Sequence, residues 1–461
     1  MLVRRQLQKG LVVRVSFISS HDPTRDPAHA AGETIRPLGL RAWSPRPELA
    51  PRTRGDLETG LVLESNGSPG CYGGWEIVYP PGAKGDCFKF RVKARWKDVK
   101  FGRDALSVEA KWEGPDGDWL DWAPVHNFTR EGEWIVLEGI LDNKTGAPAL
   151  VIKLLMRWTP TGVIEWREPV LTPCDPPAPR RLRLGVAASP PAGTPKNLEE
   201  NRDRFVAVAE RAAGQGINLL CLPEVIFAAG LPRGTPERVV ALAVEVPGPH
   251  IEPFQEVARR HRMAMCFSVH EKEAELIYNT AVLIDEDGDI IAKYRKVHLA
   301  PPGEMWRGIT PGDEFPVARI KTADAAVGMN ICMDSSAAEA ARLTARAGAE
   351  ILLLPIMGDL RSDGFVLKKP EFDMDRWQAI HRSRAMDNYV FLVAARNMVA
   401  GSGIFHPDGS ILAISDGTQD ILWADVDLSD LRRAWTGATF RDVLWYQRRE
   451  ELYRIHEARD R

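Results

Sequence analysis

A thiol, a carboxylate and an ammonium stand where strands of this chain should end. Cys332 closes the apolar run 325–331 and is followed directly by a helix-like stretch at 335–348. A thiol at a strand-to-helix turn faces the partly positive end of a helix, which favours the thiolate, the nucleophilic form. Glu224 ends a second apolar run, 217–223, that reads as a buried parallel strand. A third run, 290–299, alternates in character and carries Lys293 and Lys296. These two lysines point to opposite faces, so only one of them can face a site shared with the other groups. In open α/β sheets the ligand crevice lies outside the carboxyl ends of the strands. A carboxylate, an ammonium and a thiol could then converge in one pocket, with the cysteine as its nucleophile. Taken singly they also have structural readings, the cysteine as an inert buried residue and the glutamate and lysine as an ion pair closing a sheet end.

Three segments in this order, Leu222-Pro223-Glu224, Tyr294-Arg295-Lys296-Val297-His298-Leu299 and Asn330-Ile331-Cys332-Met333-Asp334, resemble the nitrilase (carbon-nitrogen hydrolase) superfamily. Further similar positions are Glu339, Arg342, Gly348-Ala349, Pro355, Asn388, the stretch 402–409 and the stretch 448–453. The likeness spans roughly residues 181–461. It implies Glu224 as general base, Lys296 as electrostatic stabiliser and Cys332 as nucleophile, and leaves Lys293 at the surface. It also implies a second glutamate in the loop after the lysine strand, where Glu304 fits, with Asp313 and Glu314 in the same loop. The fold implied is an α-β-β-α sandwich, commonly dimerised through helices.

The chemistry needs these residue types. A free cysteine has a pKa of about 8.5, so a nearby ammonium raises its thiolate fraction while a carboxylate takes the thiol proton during attack. Attack on an amide carbonyl develops an oxyanion, for which Lys296 and the backbone N–H of Met333 are the candidate donors. The resemblance therefore implies hydrolysis of a non-peptide C–N bond in a small amide, an N-carbamoyl compound or a nitrile, with the first two preferred. An acyltransferase using the same thioester, or a non-catalytic binding protein on this fold, are the alternatives. Met333 and the stretch 335–338 depart from the usual pattern, so the substrate stays open. Trp306 and Arg361 are the candidate substrate-binding residues. No cofactor is implied, and no His/Cys cluster has the spacing of a zinc site.

Upstream of this unit the pattern changes. Residues 172–181 form a proline-rich linker, which places one domain at 1–171 and the second at 182–461. Before the linker, alternating segments at 74–79, 87–96, 106–112, 134–140 and 149–158 are separated by Gly, Pro, Asp or Asn turns. These predict an antiparallel β-sandwich, jelly-roll-like, ahead of the α/β unit. Its nine tryptophans, Trp43, Trp75, Trp96, Trp112, Trp119, Trp122, Trp134, Trp158 and Trp166, are similar to the enrichment of carbohydrate-binding modules, while core packing and interdomain or oligomer contact are the competing readings. After the linker, strands at 182–188, 217–222, 263–269, 280–285, 290–299, 351–355 and 390–395 alternate with helices at 197–214, 251–262 and 373–386.

With 461 residues, 44% of them hydrophobic, the chain can bury two cores. A formal net charge of -3 argues against nucleic acid or a membrane surface as the main partner; the resemblance implies a small-molecule amide as substrate and a homodimer or higher homo-oligomer. Six scattered cysteines show no disulfide framework, which suits a reducing cytoplasm. Arg14 interrupts the apolar run 10–18, so a strand is expected there rather than a secretory leader, and no stretch approaches the roughly 20 apolar residues of a membrane helix.

Overall fold

A computed structural model describes residues 33–189, 191–232, 234–357, 373–397, 400–432 and 445–459. The first part of the chain forms two antiparallel sheets. One has the strand order Gly39–Trp43, Tyr72–Tyr79, Ala149–Arg157, Leu106–Glu113, Trp119–Pro124. The other runs Arg52–Asp56, Gly60–Glu64, Val163–Cys174, Cys87–Lys97, Trp134–Asp142, Phe128–Glu131. Side-chain alternation decides which face is inside. In Cys87–Lys97, Phe88, Phe90, Val92 and Ala94 are buried in the core. Between them Lys89, Arg91, Lys93 and Arg95 reach Glu138, Glu131, Glu168 and Glu165. Each exposed ion pair contributes about 0–1 kcal/mol, whereas each buried large apolar side chain contributes about 1.5–3 kcal/mol. The apolar face therefore sets the register. Trp112 and Trp166 lie fully inside this core, Trp75, Trp96 and Trp122 pack against it, and Trp119 is exposed.

The rest of the chain is an α-β-β-α sandwich. Its first sheet has the order Ile290–Arg295, Leu276–Ile284, Ala264–Glu273, Leu219–Cys221, Arg181–Ala187, Ile421–Asp427. Its second runs Val317–Arg319, Ala326–Met329, Ile351–Ile356, Phe391–Arg396, Gly403–Phe405, Ile411–Ile414. The central strands are parallel and buried on both faces, as Ile351–Ile356 shows with all six residues inside. Leu184, Leu219, Cys221 and Leu283 of one sheet share a core with Val327, Met329, Leu353 and Val393 of the other. Outside, Leu198–Ala213 and Glu252–His261 cover the first sheet. Ala338–Arg346 and Met374–Asn388 cover the second. Leu198–Ala213 begins at Asn197, whose side chain accepts the Glu200 N–H, and it turns Phe205, Val208, Ala209 and Ala212 inward at helical spacing. Among the described residues no helix is long and apolar enough to cross a membrane.

Three boundaries differ from the sequence reading. Strand Val163–Cys174 continues three residues into the proline-rich stretch, because Thr172, Pro173 and Cys174 still pair with Lys89, Phe88 and Cys87. The strand expected through Leu299 stops at Arg295. The single helix expected from Ser335 is split into a short 3-10 turn, Cys332–Ser336, and the helix Ala338–Arg346. The sequence between the two units ends at Arg180, whose guanidinium bonds both oxygens of Glu350 at 2.6 and 2.8 Å and the carbonyl of Ala323 at 2.8 Å. At the other end, the segment around Tyr446 returns to the antiparallel sandwich. Its hydroxyl lies 2.5 Å from Ser107 Oγ and also donates to Glu109, and its ring meets Trp122 edge-on at 5.4 Å.

Candidate active site

Glu224, Met357, Lys296 and Cys332 all follow the carboxyl ends of strands. The strand before Glu224 is parallel to Ala264–Glu273, and two antiparallel steps bring Ile290–Arg295 into the same direction, so Lys296 emerges on the side of Glu224. The Lys296 ammonium lies 2.9 Å from Glu224 Oε1 and 2.7 Å from Glu304 Oε2. Lys296 is 1% exposed and Glu224 3%, so this pair is held out of water. The second oxygen of Glu224 accepts the Met357 N–H at 2.5 Å, which reaches over from the other sheet. Glu304 also accepts the Ala300 N–H at 2.8 Å, which closes its own loop.

Charge is partly balanced here. Burial works against the Lys296 ammonium, but Glu224, Cys332 and Glu304 together hold its pKa well above the ordinary lysine value. Burial likewise works against the Glu304 carboxylate, and Lys296 with the Asn279 amide outweighs it, so the group stays below the usual carboxyl range. The lysine is thus a fixed cation within the field of the Cys332 sulfur. This arrangement has the parts to take up a thiol proton and to stabilise negative charge on an oxygen.

Cys332 stands on a strained turn. Its φ of 43° lies in the left-handed region, uncommon for a residue with a Cβ. Asp334 holds the turn: one carboxylate oxygen accepts the Ile331 N–H at 2.8 Å and the Tyr294 hydroxyl at 2.7 Å. The other accepts the His298 N–H at 2.9 Å and faces His298 Nδ1 at 2.7 Å. Ser335 Oγ donates to the Cys332 carbonyl at 2.7 Å. Cys332 is half-buried, so its sulfur is not sealed in the core. Met333 follows it as the second residue of the 3-10 turn.

The structure brings together Glu224, Lys296, Glu304 and Cys332, with Met333 adjacent. Lys293 is separate: it pairs with Glu271 at 2.6 Å and with the Val246 carbonyl at 3.2 Å. Trp306 lies in the Glu304 loop and is 79% exposed. Arg361 lies outside the described residues. Sequence reasoning gave no role to Asn279, Ser268, Asp334 or Met357. For Asn279 the available signal is a side-chain amide in the middle of an otherwise apolar strand, LIYNTAVLI, which must find buried partners.

A family model for carbon-nitrogen hydrolases matches residues 183–435. The omega-amidase NIT2 of Homo sapiens is 29% identical over 275 residues, which cover 56% of this chain and 92% of that protein. Nitrilase homolog 2 of Dictyostelium discoideum is 29% identical over 278 residues, 56% of this chain and 79% of that protein. Among solved structures, a carbon-nitrogen hydrolase from Helicobacter pylori G27 superposes with a TM-score of 0.51 at 24% identity, covering 60% of this chain and 98% of that one. With more than half of its length matched by the family model, the chain belongs to the carbon-nitrogen hydrolases of the nitrilase superfamily and is an enzyme of that class.

Proposed function

We propose that the enzyme hydrolyses a small amide or N-carbamoyl compound through a thioester on Cys332. The observation that carries this reading is Lys296, which bonds two carboxylates while lying in the field of the cysteine. In the first half-reaction the Cys332 sulfur bonds to the carbonyl carbon and its proton passes to Glu224. The resulting oxyanion is stabilised by Lys296 and the Met333 N–H, each such donor being worth about 3 kcal/mol. The C–N bond then breaks, Glu224 returns its proton to the departing nitrogen, and a thioester remains. In the second half-reaction Glu224 takes a proton from water while the water oxygen bonds to the same carbon; the C–S bond then breaks, Glu224 returns the proton to the Cys332 sulfur, and the acid is released. Glu304 holds Lys296 from the far side. Trp306, two residues beyond Glu304, is our candidate for contact with the outer end of the substrate.

The antiparallel sandwich serves in this reading as a packing partner for the hydrolase unit rather than as a sugar-binding module. The contact of Trp122 with Tyr446 supports that choice.

The test is a panel of small primary amides and N-carbamoyl amino acids, scored for ammonia release and for a mass adduct on the Cys332 peptide after acid quench. Turnover of at least one member with an acyl adduct on Cys332 is expected. Adding hydroxylamine separates the two fates of the thioester. Acid as the main product in water supports a hydrolase, whereas product formed only when an amine acceptor is present would make the enzyme an acyltransferase. Ammonia release without any dependence on Cys332 would refute the thioester.

A further inference from the structure

Asn279 lies in the centre of strand Leu276–Ile284 and is 1% exposed. Its Nδ2 donates to Glu224 Oε1 at 2.7 Å and to Glu304 Oε1 at 2.8 Å. One amide group therefore spans the two carboxylates that Lys296 also spans. The orientation of that amide is fixed by a chain of hydrogen bonds with only one consistent direction. The Val225 N–H can only donate, and it donates to Ser268 Oγ at 2.8 Å. The single Ser268 proton is then directed to Asn279 Oδ1 at 3.0 Å. With Oδ1 engaged there, both N–H bonds of Nδ2 face the carboxylates. The reversed amide would set its oxygen against two carboxylate oxygens.

The same serine holds the residue beside Glu224 in an unusual conformation. Val225 has a φ of 43°, a left-handed backbone that a β-branched residue rarely adopts. The strain points to a turn held by its surroundings. Ser268 supplies one of those constraints, and it is 0% exposed.

We propose that Asn279, locked by Ser268, is a positioning residue that holds Glu224 and Glu304 in the geometry that thiol activation needs. Two carboxylates share one lysine here. A neutral double donor supports both anions without adding a second cation that would compete with Lys296 for them or pair with the thiolate. This rests on the thioester reading above. The titratable groups concerned are Glu224 and Glu304 in contact with the amide, with Lys296 and Cys332 next to them.

The test uses iodoacetamide, which needs no known substrate, on the full chain. Its rate of reaction with Cys332 is followed by peptide mass spectrometry from pH 4 to 9 in wild type, N279A and S268A. Wild-type Cys332 is expected to react ahead of the other five cysteines, with a rate that rises along an acidic limb. N279A is expected to lower the plateau about tenfold and move that limb to higher pH by about 0.5 or more, because the anions lose hydrogen bonds that favour them. S268A keeps the amide but frees its orientation, so a smaller change in the same direction is expected, and it carries the test if N279A does not fold. A merely structural role would lower the reactive fraction and leave the limb in place. An unmoved limb in the folded variants, beside fast wild-type labelling, overturns the positioning role alone. Wild-type Cys332 labelled no faster than the other thiols overturns the thioester reading and this proposal with it.

Discussion

The Tyr294 hydroxyl donates to Asp334 at 2.7 Å, and this bond joins the two sheets of the hydrolase unit at the Cys332 turn. Tyr294 is fully buried on the strand that leads to Lys296, and Asp334 caps the turn that begins at Cys332. Burial, with the Asp334 charge beside it, pushes the phenol far above its usual range, so it stays a donor. One hydrogen bond thus ties the lysine strand to the cysteine turn.

Tyr294→Phe removes that donor and leaves a buried carboxylate oxygen with one bond fewer. Stability should fall by about 1–3 kcal/mol, the cost typical of depriving a buried charged acceptor of a partner. Turnover should fall as well, because the Ile331 N–H and the Tyr294 hydroxyl share the same Asp334 oxygen. Urea unfolding and steady-state rates on one preparation measure both. Unchanged stability would show that the His298 bonds to Asp334 hold the turn without the tyrosine hydroxyl.

His298 predicts a pH signature. Its hydrogen bond with Asp334 is the main influence, and the folded pKa lies above the ordinary 6.5 in spite of partial burial. A raised folded pKa contributes stability that is fully present below the unfolded value and is lost as pH rises through the folded one. The ring is more than a third exposed, so the effect is discounted for solvent. The melting temperature of wild type minus that of His298→Gln should therefore be largest below about pH 6 and shrink above about pH 7. A difference that does not vary with pH would mean the ring is held by packing alone.

Much of the site was legible because strand ends are easy to find in sequence. Glu224 and Cys332 close short apolar runs, and alternation separates Lys296 from Lys293, which instead pairs with Glu271. What escaped was made by side chains acting on backbone. Nothing local in Cys332-Met333-Asp334-Ser335 says that the Asp334 carboxylate will take the Ile331 N–H and break the helix into a 3-10 turn first. Asn279 and Ser268 sit in mid-strand, where an apolar pattern is read as core, and their roles depend on partners up to 55 residues away. The sandwich was legible from alternation, as Cys87–Lys97 shows. The return of Tyr446 onto Ser107, 339 residues earlier, was not, since no local pattern encodes a contact at that separation.

Tyr446→Phe tests that long-range contact. The hydroxyl bonds Ser107 and Glu109, and the Tyr446 carbonyl accepts from the Arg157 guanidinium at 3.0 Å. Removing only the hydroxyl should cost about 1–2 kcal/mol and leave turnover near wild type, because the residue lies on the sandwich rather than in the candidate active site. Differential scanning calorimetry with parallel assays checks this. A large loss of activity without loss of stability would mean that the sandwich contact acts on the site.

Lys296 and Glu224 should separate by variant. Lys296→Met strands two buried carboxylates and should lose about 3–5 kcal/mol of stability, the cost of a broken buried pair, along with an about 100- to 1000-fold drop in turnover from the lost oxyanion donor. Glu224→Gln keeps the shape of the side chain and leaves Lys296 paired with Glu304, so the fold should hold. It cannot accept a proton, and turnover should fall by about 100-fold or more while binding of a neutral amide stays near wild type. Near-normal turnover in Glu224→Gln would reduce the carboxylate to an ion-pair partner.

The most direct measurement is ammonia release by wild type and Cys332→Ala from an amide that the wild type turns over, with intact-protein mass recorded after acid quench. Cys332→Ala removes one half-buried sulfur and should melt within a few degrees of wild type. We expect ammonia release and an acyl adduct confined to Cys332 in the wild type, and neither in the variant. A folded Cys332→Ala protein that releases ammonia at the wild-type rate would contradict the thioester mechanism.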